Sequence, residues 1–150
     1  MQLKVVIDTS IFIASLWKGK SRDMVELWKK GKITLCVSKA ILKEYLYIIP
    51  RFNMLKKEAG ELLSLFEARK NIEMVSPSKR LKIIKEDLAD NKFLECAVEA
   101  RAEYILSADK HLRDIGEYEG VKIVSSGSFL KNTGSPHKKG ESNSTSSVTF

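Results

Sequence analysis

The chain has 150 residues, of which 43% are apolar and 30% charged, with a formal net charge of +7 and a pI of about 9.4. That length supports one domain with a sizeable core but not two, and no apolar run approaches the roughly 20 residues that span a bilayer. The surplus of Lys and Arg draws polyanions, nucleic acid first among them, although solvated surface lysines account for the same charge.

Lys4-Val5-Val6-Ile7 reads as a strand buried on both faces, as in a parallel sheet. The acid that follows, Asp8, is wrong for a secretory leader, so a cytoplasmic protein is expected. Thr9 and Ser10 can cap a helix over 11–18. Ser21-Arg22-Asp23 introduces a second helix over 24–30, which Gly31 stops. Residues 33–37 form the next strand. Ser38 caps a helix over 39–49, ended by Pro50.

A helix over about 54–70 leads to a short strand at 72–75, closed by Ser76-Pro77-Ser78. A basic stretch (79–85) runs into an acidic one (86–90). An amphipathic helix covers 91–101, a fourth strand 104–106, a short helix 110–114, a fifth strand 121–124 and a last helical turn 126–130. Strands alternating with helices predict an α/β fold, a three-layer α/β/α sandwich around a central parallel sheet. Domain organisation is expected as a core over 1–131 and a flexible Ser/Thr-rich tail over 132–150, which holds too little apolar surface to offset its ordering entropy.

Cys36 and Cys96 are far apart, lie among apolar neighbours and show no CxxC spacing, so small buried side chains are expected rather than a disulfide or a zinc site. Two histidines are too few for a histidine-rich metal centre. The acids are more informative. Asp8 and Asp109 each follow a strand directly, and ligands of open parallel sheets bind beyond the carboxyl ends of strands. Either alone could simply cap a helix. Glu44 has Ala40, Ile41, Tyr47 and Ile48 as its helical neighbours, an apolar stripe in which a carboxylate is costly without a cation or donors; a position at the stripe's margin would let it reach water. Asp90 opens the helix carrying Phe93, Leu94, Ala97 and Val98, where capping is again the bland reading. Four such carboxylates meeting at one sheet edge would repel unless divalent cations neutralised them, and an all-oxygen set selects Mg²⁺ or Mn²⁺. Phosphodiester hydrolysis is the chemistry such ions serve best.

These segments carry a family resemblance. Val5-Val6-Ile7-Asp8-Thr9-Ser10 resembles the opening of PIN domains, and Ser38-Lys39-Ala40-Ile41-Leu42-Lys43-Glu44-Tyr45 the family's second acidic segment. The stretch from Asp90 through Asn91-Lys92-Phe93-Leu94-Glu95-Cys96 to Ala97 is similar to the third. Tyr104-Ile105-Leu106-Ser107-Ala108-Asp109-Lys110-His111-Leu112 resembles the fourth. The ordered set spans residues 3–130 and is most similar to toxin components of toxin–antitoxin pairs of the VapC type.

The resemblance implies a Mg²⁺- or Mn²⁺-dependent endoribonuclease with Asp8, Glu44, Asp90 and Asp109 as metal-binding and catalytic acids. Thr9, Ser10 and Ser107 would orient carboxylates or water from behind, and Lys39, Lys43, Lys92, Lys110, His111 and Arg113 would grip RNA phosphates. Expected partners are RNA, an antitoxin protein and a second copy of the chain, the last through aromatic surface from Trp17, Trp28, Tyr45, Tyr47 and Phe52; no membrane is expected. Ser10 stands where relatives often carry Asn, and Ala89 where this subgroup often carries a further acid, with Asp87 the nearest replacement. The alternative function is a non-catalytic RNA-binding or scaffold domain of the same family. A haloacid-dehalogenase-type phosphatase would need an Asp where Ser10 stands, a receiver domain an acid after the third strand, and a P-loop or Rossmann enzyme a Gly-rich loop. A DNA flap nuclease would need more loops and helices than this length allows.

Overall fold

The structure, a computed structural model, describes residues 3–17, 19–52, 56–78 and 90–133. The expectations for 79–89, including Asp87, and for the tail beyond Thr133 lie outside the described residues. In chain order the elements are β1 (Leu3–Ile7), α1 (Thr9–Ala14), α2 (Lys20–Lys29), β2 (Ile33–Ser38), α3 (Lys39–Ile48), a 3-10 turn (Ile49–Arg51), α4 (Lys56–Glu67), β3 (Ile72–Val75), α5 (Asn91–Ala100), β4 (Tyr104–Leu106), α6 (Lys110–Ile115), β5 (Glu117–Tyr118), β6 (Val121–Val124) and α7 (Ser126–Thr133). Among the described residues no helix is long and apolar enough to cross a membrane.

The strands form one sheet in the order β3-β2-β1-β4-β6-β5. All neighbours run parallel except β5, which pairs antiparallel with β6 at the edge. The expected central parallel sheet is therefore present, with an antiparallel edge strand that the sequence reading lacked. Val5, Val6 and Ile7 are consecutive and all fully buried. Successive side chains point to opposite faces, so both faces of β1 are covered and the sheet is the middle of three layers. The register sets Ile7 of β1 beside Leu106 of β4, so the residues after both strands emerge side by side.

An aromatic cluster anchors the helices. The Phe66 ring of α4 stacks on Trp28 of α2, with centroids 5.5 Å apart, and on Tyr45 of α3 at 5.0 Å. Phe12 of α1 meets Phe66 edge-on at 5.2 Å and Tyr45 at 4.9 Å. The buried polar tips are satisfied, as buried Tyr and Trp require: Trp28 Nε1 donates to the Lys70 carbonyl at 2.9 Å and the Tyr45 hydroxyl donates to the Ile7 carbonyl. Trp28 and Tyr45, offered above as contact surface, are thus core residues, whereas Trp17 and Tyr47 are exposed. Cys36 and Cys96 are free and buried, as expected. Burial pushes the Cys36 thiol up to about 12 and raises Cys96 as well, which leaves both inert as thiolates at neutral pH.

Candidate active site

Asp8 leaves β1 with an extended backbone and occupies the N-cap position of α1, but its side chain makes no capping hydrogen bond. The helix starts two residues earlier than expected, since Asp8 rather than Thr9 or Ser10 takes the cap position. The carboxylate is committed elsewhere: its Oδ2 accepts from the Ser10 hydroxyl at 2.9 Å and the Ser107 hydroxyl at 2.6 Å. Asp8 is buried, and this desolvation raises its pKa above the usual 3.8. The two hydroxyl donors and the Ser10 backbone N–H pull it back only in part, and the charge of Asp109 adds a smaller upward push.

Ser107 ties the ends of β1 and β4 together. Its hydroxyl donates to Asp8 while accepting from the Asp109 backbone N–H at 2.9 Å. Ser10 makes a second link, accepting from the Ala108 backbone N–H at 3.2 Å. Asp109 caps α6 by accepting from the His111 backbone N–H at 2.8 Å, so its capping role is real, and its charge is felt at Asp8.

Glu44 joins this edge from α3. Its Oε2 accepts from the Thr9 hydroxyl and its Oε1 pairs with the Lys92 ammonium at 2.7 Å. The stripe around it differs from the sequence reading: Ile41 and Tyr45 are buried and Ile48 half-buried, while Ala40 and Tyr47 are exposed. Glu44 therefore sits at the margin of the core, half-buried, and is met by both a cation and a donor.

Asp90 holds the N-cap position of α5 without a side-chain cap bond, two residues before Lys92. The structure thus sets Asp8 and Asp109 after neighbouring strand ends, links Glu44 to Thr9 next to Asp8, and places Asp90 at the start of the helix that meets Glu44. Among the described residues, no three His, Cys, Asp or Glu side chains stand ready as ligands for one ion. The donor chemistry, carboxylate oxygens held by hydroxyls, still suits a hard divalent cation.

Tyr45 is the support that sequence reasoning missed. It lies beneath the site, near the charges of Asp8 and Glu44, and its hydroxyl holds the last carbonyl of β1. A tyrosine beside Glu44 in an apolar stripe was the available signal, since a buried hydroxyl must find a partner. Of the expected phosphate-gripping residues, Lys39, Lys43, Lys110, His111 and Arg113 are exposed, whereas Lys92 is turned inward onto Glu44. Lys110 pairs with Asp114 at 2.8 Å, one turn along α6. Lys39 and Lys43 line a groove of about 420 Å³ together with Arg69 and Met74; Arg69, far away in sequence, carried no signal.

A mostly parallel central sheet flanked by helices, with an acid following each of two adjacent strands, makes this an α/β protein with its candidate site at the carboxyl edge of the sheet. The chain belongs to the PIN domain family, whose model matches residues 4–111 and so takes in Asp8, Glu44, Asp90 and Asp109. It is 29% identical over 132 residues to an uncharacterized protein of Methanocaldococcus jannaschii, covering 83% of this chain and 84% of the relative. Two solved structures share the fold. One is VapBC2 from Rickettsia felis bound to a DNA fragment from their promoter, at a TM-score of 0.51 and 15% identity, covering 81% of this chain and 97% of that one. The other is a domain of a functionally unknown protein from Methanocaldococcus jannaschii, at a TM-score of 0.51 and 20% identity, covering 82% and 90%.

Proposed function

We propose that this chain is a divalent-metal-dependent ribonuclease that hydrolyses RNA phosphodiester bonds, with Asp8, Glu44, Asp90 and Asp109 holding Mg²⁺ or Mn²⁺. The observation that supports this reading most is the Ser107 hydroxyl, which donates to the Asp8 carboxylate and accepts from the Asp109 backbone N–H, so that both acids follow neighbouring strand ends and the charge of Asp109 is felt at Asp8. A buried acid with a like charge beside it is a costly arrangement that a bound cation would repay.

A divalent ion bound there would activate a water and stabilise the departing 3′ oxygen. The chain's own residues do the positioning. Ser10 and Ser107 fix the orientation of Asp8, and Thr9 does the same for Glu44. Lys39, Lys43 and Arg69 offer cations along one groove for the RNA backbone, and Lys110, His111 and Arg113 of α6 offer a second basic rim.

The wider reading is a toxin of a toxin–antitoxin pair acting in the cytoplasm. The Rickettsia felis neighbour supports it through fold alone. Exposed Trp17, Leu46 and Tyr47 provide apolar surface for an antitoxin or a second copy of the chain.

The test is direct. Labelled single-stranded RNA should be cut by the wild-type protein in millimolar Mn²⁺ or Mg²⁺ and stay whole in EDTA. RNA that is bound but uncut at every metal concentration would overturn the enzyme and leave the RNA-binding scaffold.

A further inference from the structure

Lys92 is placed unlike the other basic residues of the site. Its side chain is only 16% exposed, and its ammonium contacts Glu44 Oε1 at 2.7 Å. Lysine is rarely buried this far unless paired. Its neighbour Phe93 presents a ring whose centroid lies 4.9 Å from the ammonium, a further contact that favours a cation there. The partner is one of the four family acids, and the other oxygen of that acid is held by Thr9. Both oxygens of Glu44 are thus engaged, one by a donor and one by a full positive charge.

We propose that the Lys92 ammonium is the built-in counter-ion of this site: it neutralises Glu44 in the metal-free protein and is displaced from it when a divalent cation binds. This rests on the metal-dependent reading above and deepens it. An ammonium and a divalent ion cannot both contact one carboxylate oxygen without strong repulsion. Metal entry therefore requires the Lys92 side chain to swing away, which its four-carbon stem allows. The arrangement holds the metal-free site together, since Glu44 would otherwise be a half-buried anion met only by the Thr9 hydroxyl. It also weakens metal affinity by the free energy of the ion pair that must be broken. The released ammonium comes free at the site's edge, where substrate phosphate would arrive. A plain helix-to-helix strut, the rival account, ties α5 to α3 equally well but has no reason to respond to metal.

Mn²⁺ titration by calorimetry, with melting temperatures measured in EDTA and in Mn²⁺, separates these accounts in wild type, Lys92→Met, Lys92→Gln and Lys92→Arg. Removing the charge should tighten Mn²⁺ binding by about two- to fivefold, the scale of a partly exposed ion pair. The same variants should melt lower than wild type in EDTA and gain more from Mn²⁺. Lys92→Arg, which keeps the charge, should bind Mn²⁺ much as wild type does. Mn²⁺ bound equally by wild type, Met and Gln variants would overturn the counter-ion role while leaving the metal site intact. No Mn²⁺ binding by any of the proteins would overturn the metal-dependent reading itself, and this inference with it. Met and Gln give two chances of a folded charge-free variant, and both can be checked by their melting curves.

Discussion

Asp8→Asn should lower RNA cleavage by on the order of 100-fold or more, since the loss of a stabilising interaction of about 2.7 kcal/mol corresponds to that change in rate. Asn keeps the size and an acceptor oxygen but removes one negative charge from the site. The capping account of Asp8 predicts almost no change, and the structure weakens it, because the carboxylate is held chiefly by the Ser10 and Ser107 hydroxyls rather than by the backbone of α1.

Stability should move the opposite way. Burial holds the Asp8 pKa above its ordinary 3.8, so the folded protein binds this proton more tightly than the unfolded chain does. The contribution of this group is favourable below the unfolded value and is lost as pH rises through the raised one. At neutral pH in EDTA the buried anion is a net cost that Asn removes, so the variant should melt higher than wild type. That advantage should shrink as the solution is acidified. RNA affinity in EDTA should barely change, because the cations proposed to grip phosphate, Lys39, Lys43 and Arg69, are untouched by the substitution. Lower activity in a variant that keeps its fold, gains stability and binds RNA as before identifies a group acting at the reacting atoms. A variant that cuts RNA at the wild-type rate would remove Asp8 from the site.

The largest loss of stability is expected from Phe66→Ala. The ring is 1% exposed and touches Phe12, Trp28 and Tyr45, which come from three other helices. Truncating a buried Phe costs about 3–5 kcal/mol through lost transfer energy and the cavity left behind. In a domain of this size that lowers the melting temperature by on the order of 10 °C. Tyr45 transmits part of the damage to the site, because its ring rests on Phe66 while its hydroxyl holds the Ile7 carbonyl beside Asp8. Thermal denaturation measures the first effect, and cleavage assayed well below the melting temperature measures the second. A melting temperature within a degree or two of wild type would show that the aromatic cluster is not the anchor of the helical layers.

Where local physics decides a feature, the sequence shows it. The Val5-Val6-Ile7 run could only be a strand covered on both sides, and Ser38 does cap α3, accepting from the Ile41 N–H at 3.3 Å. The strand ends at Asp8 and before Asp109 were readable because apolar runs stop there. The edge strand β5 was not. Its two residues are too few for a periodic signal, and what creates it is the turn at Glu119 and Gly120, both with positive φ, as a tight hairpin needs. Gly120 was the one hint.

The start of α2 was misjudged because Ser21, Arg22 and Asp23 look like a capping segment, whereas the helix begins at Lys20, after Gly19 with φ 138°. Helical spacing placed Glu44 near an apolar stripe but could not name its partner, since Lys92 reaches it from another helix 48 positions along the chain. Spacing tells which face a residue takes; tertiary packing decides who meets it there. Lys92 therefore looked like one more surface cation.

The most direct measurement is the chemistry of the cut ends. Attack by an activated water, with the 3′ oxygen leaving, yields a 5′-phosphate on one fragment and a free 3′-hydroxyl on the other. RNA cut by the wild-type protein in Mn²⁺, with the cut lost in EDTA, should therefore carry 5′-phosphate and 3′-hydroxyl termini. Products ending in a 2′,3′-cyclic phosphate, or cleavage that persists in EDTA, would contradict a metal-dependent hydrolysis at Asp8, Glu44, Asp90 and Asp109.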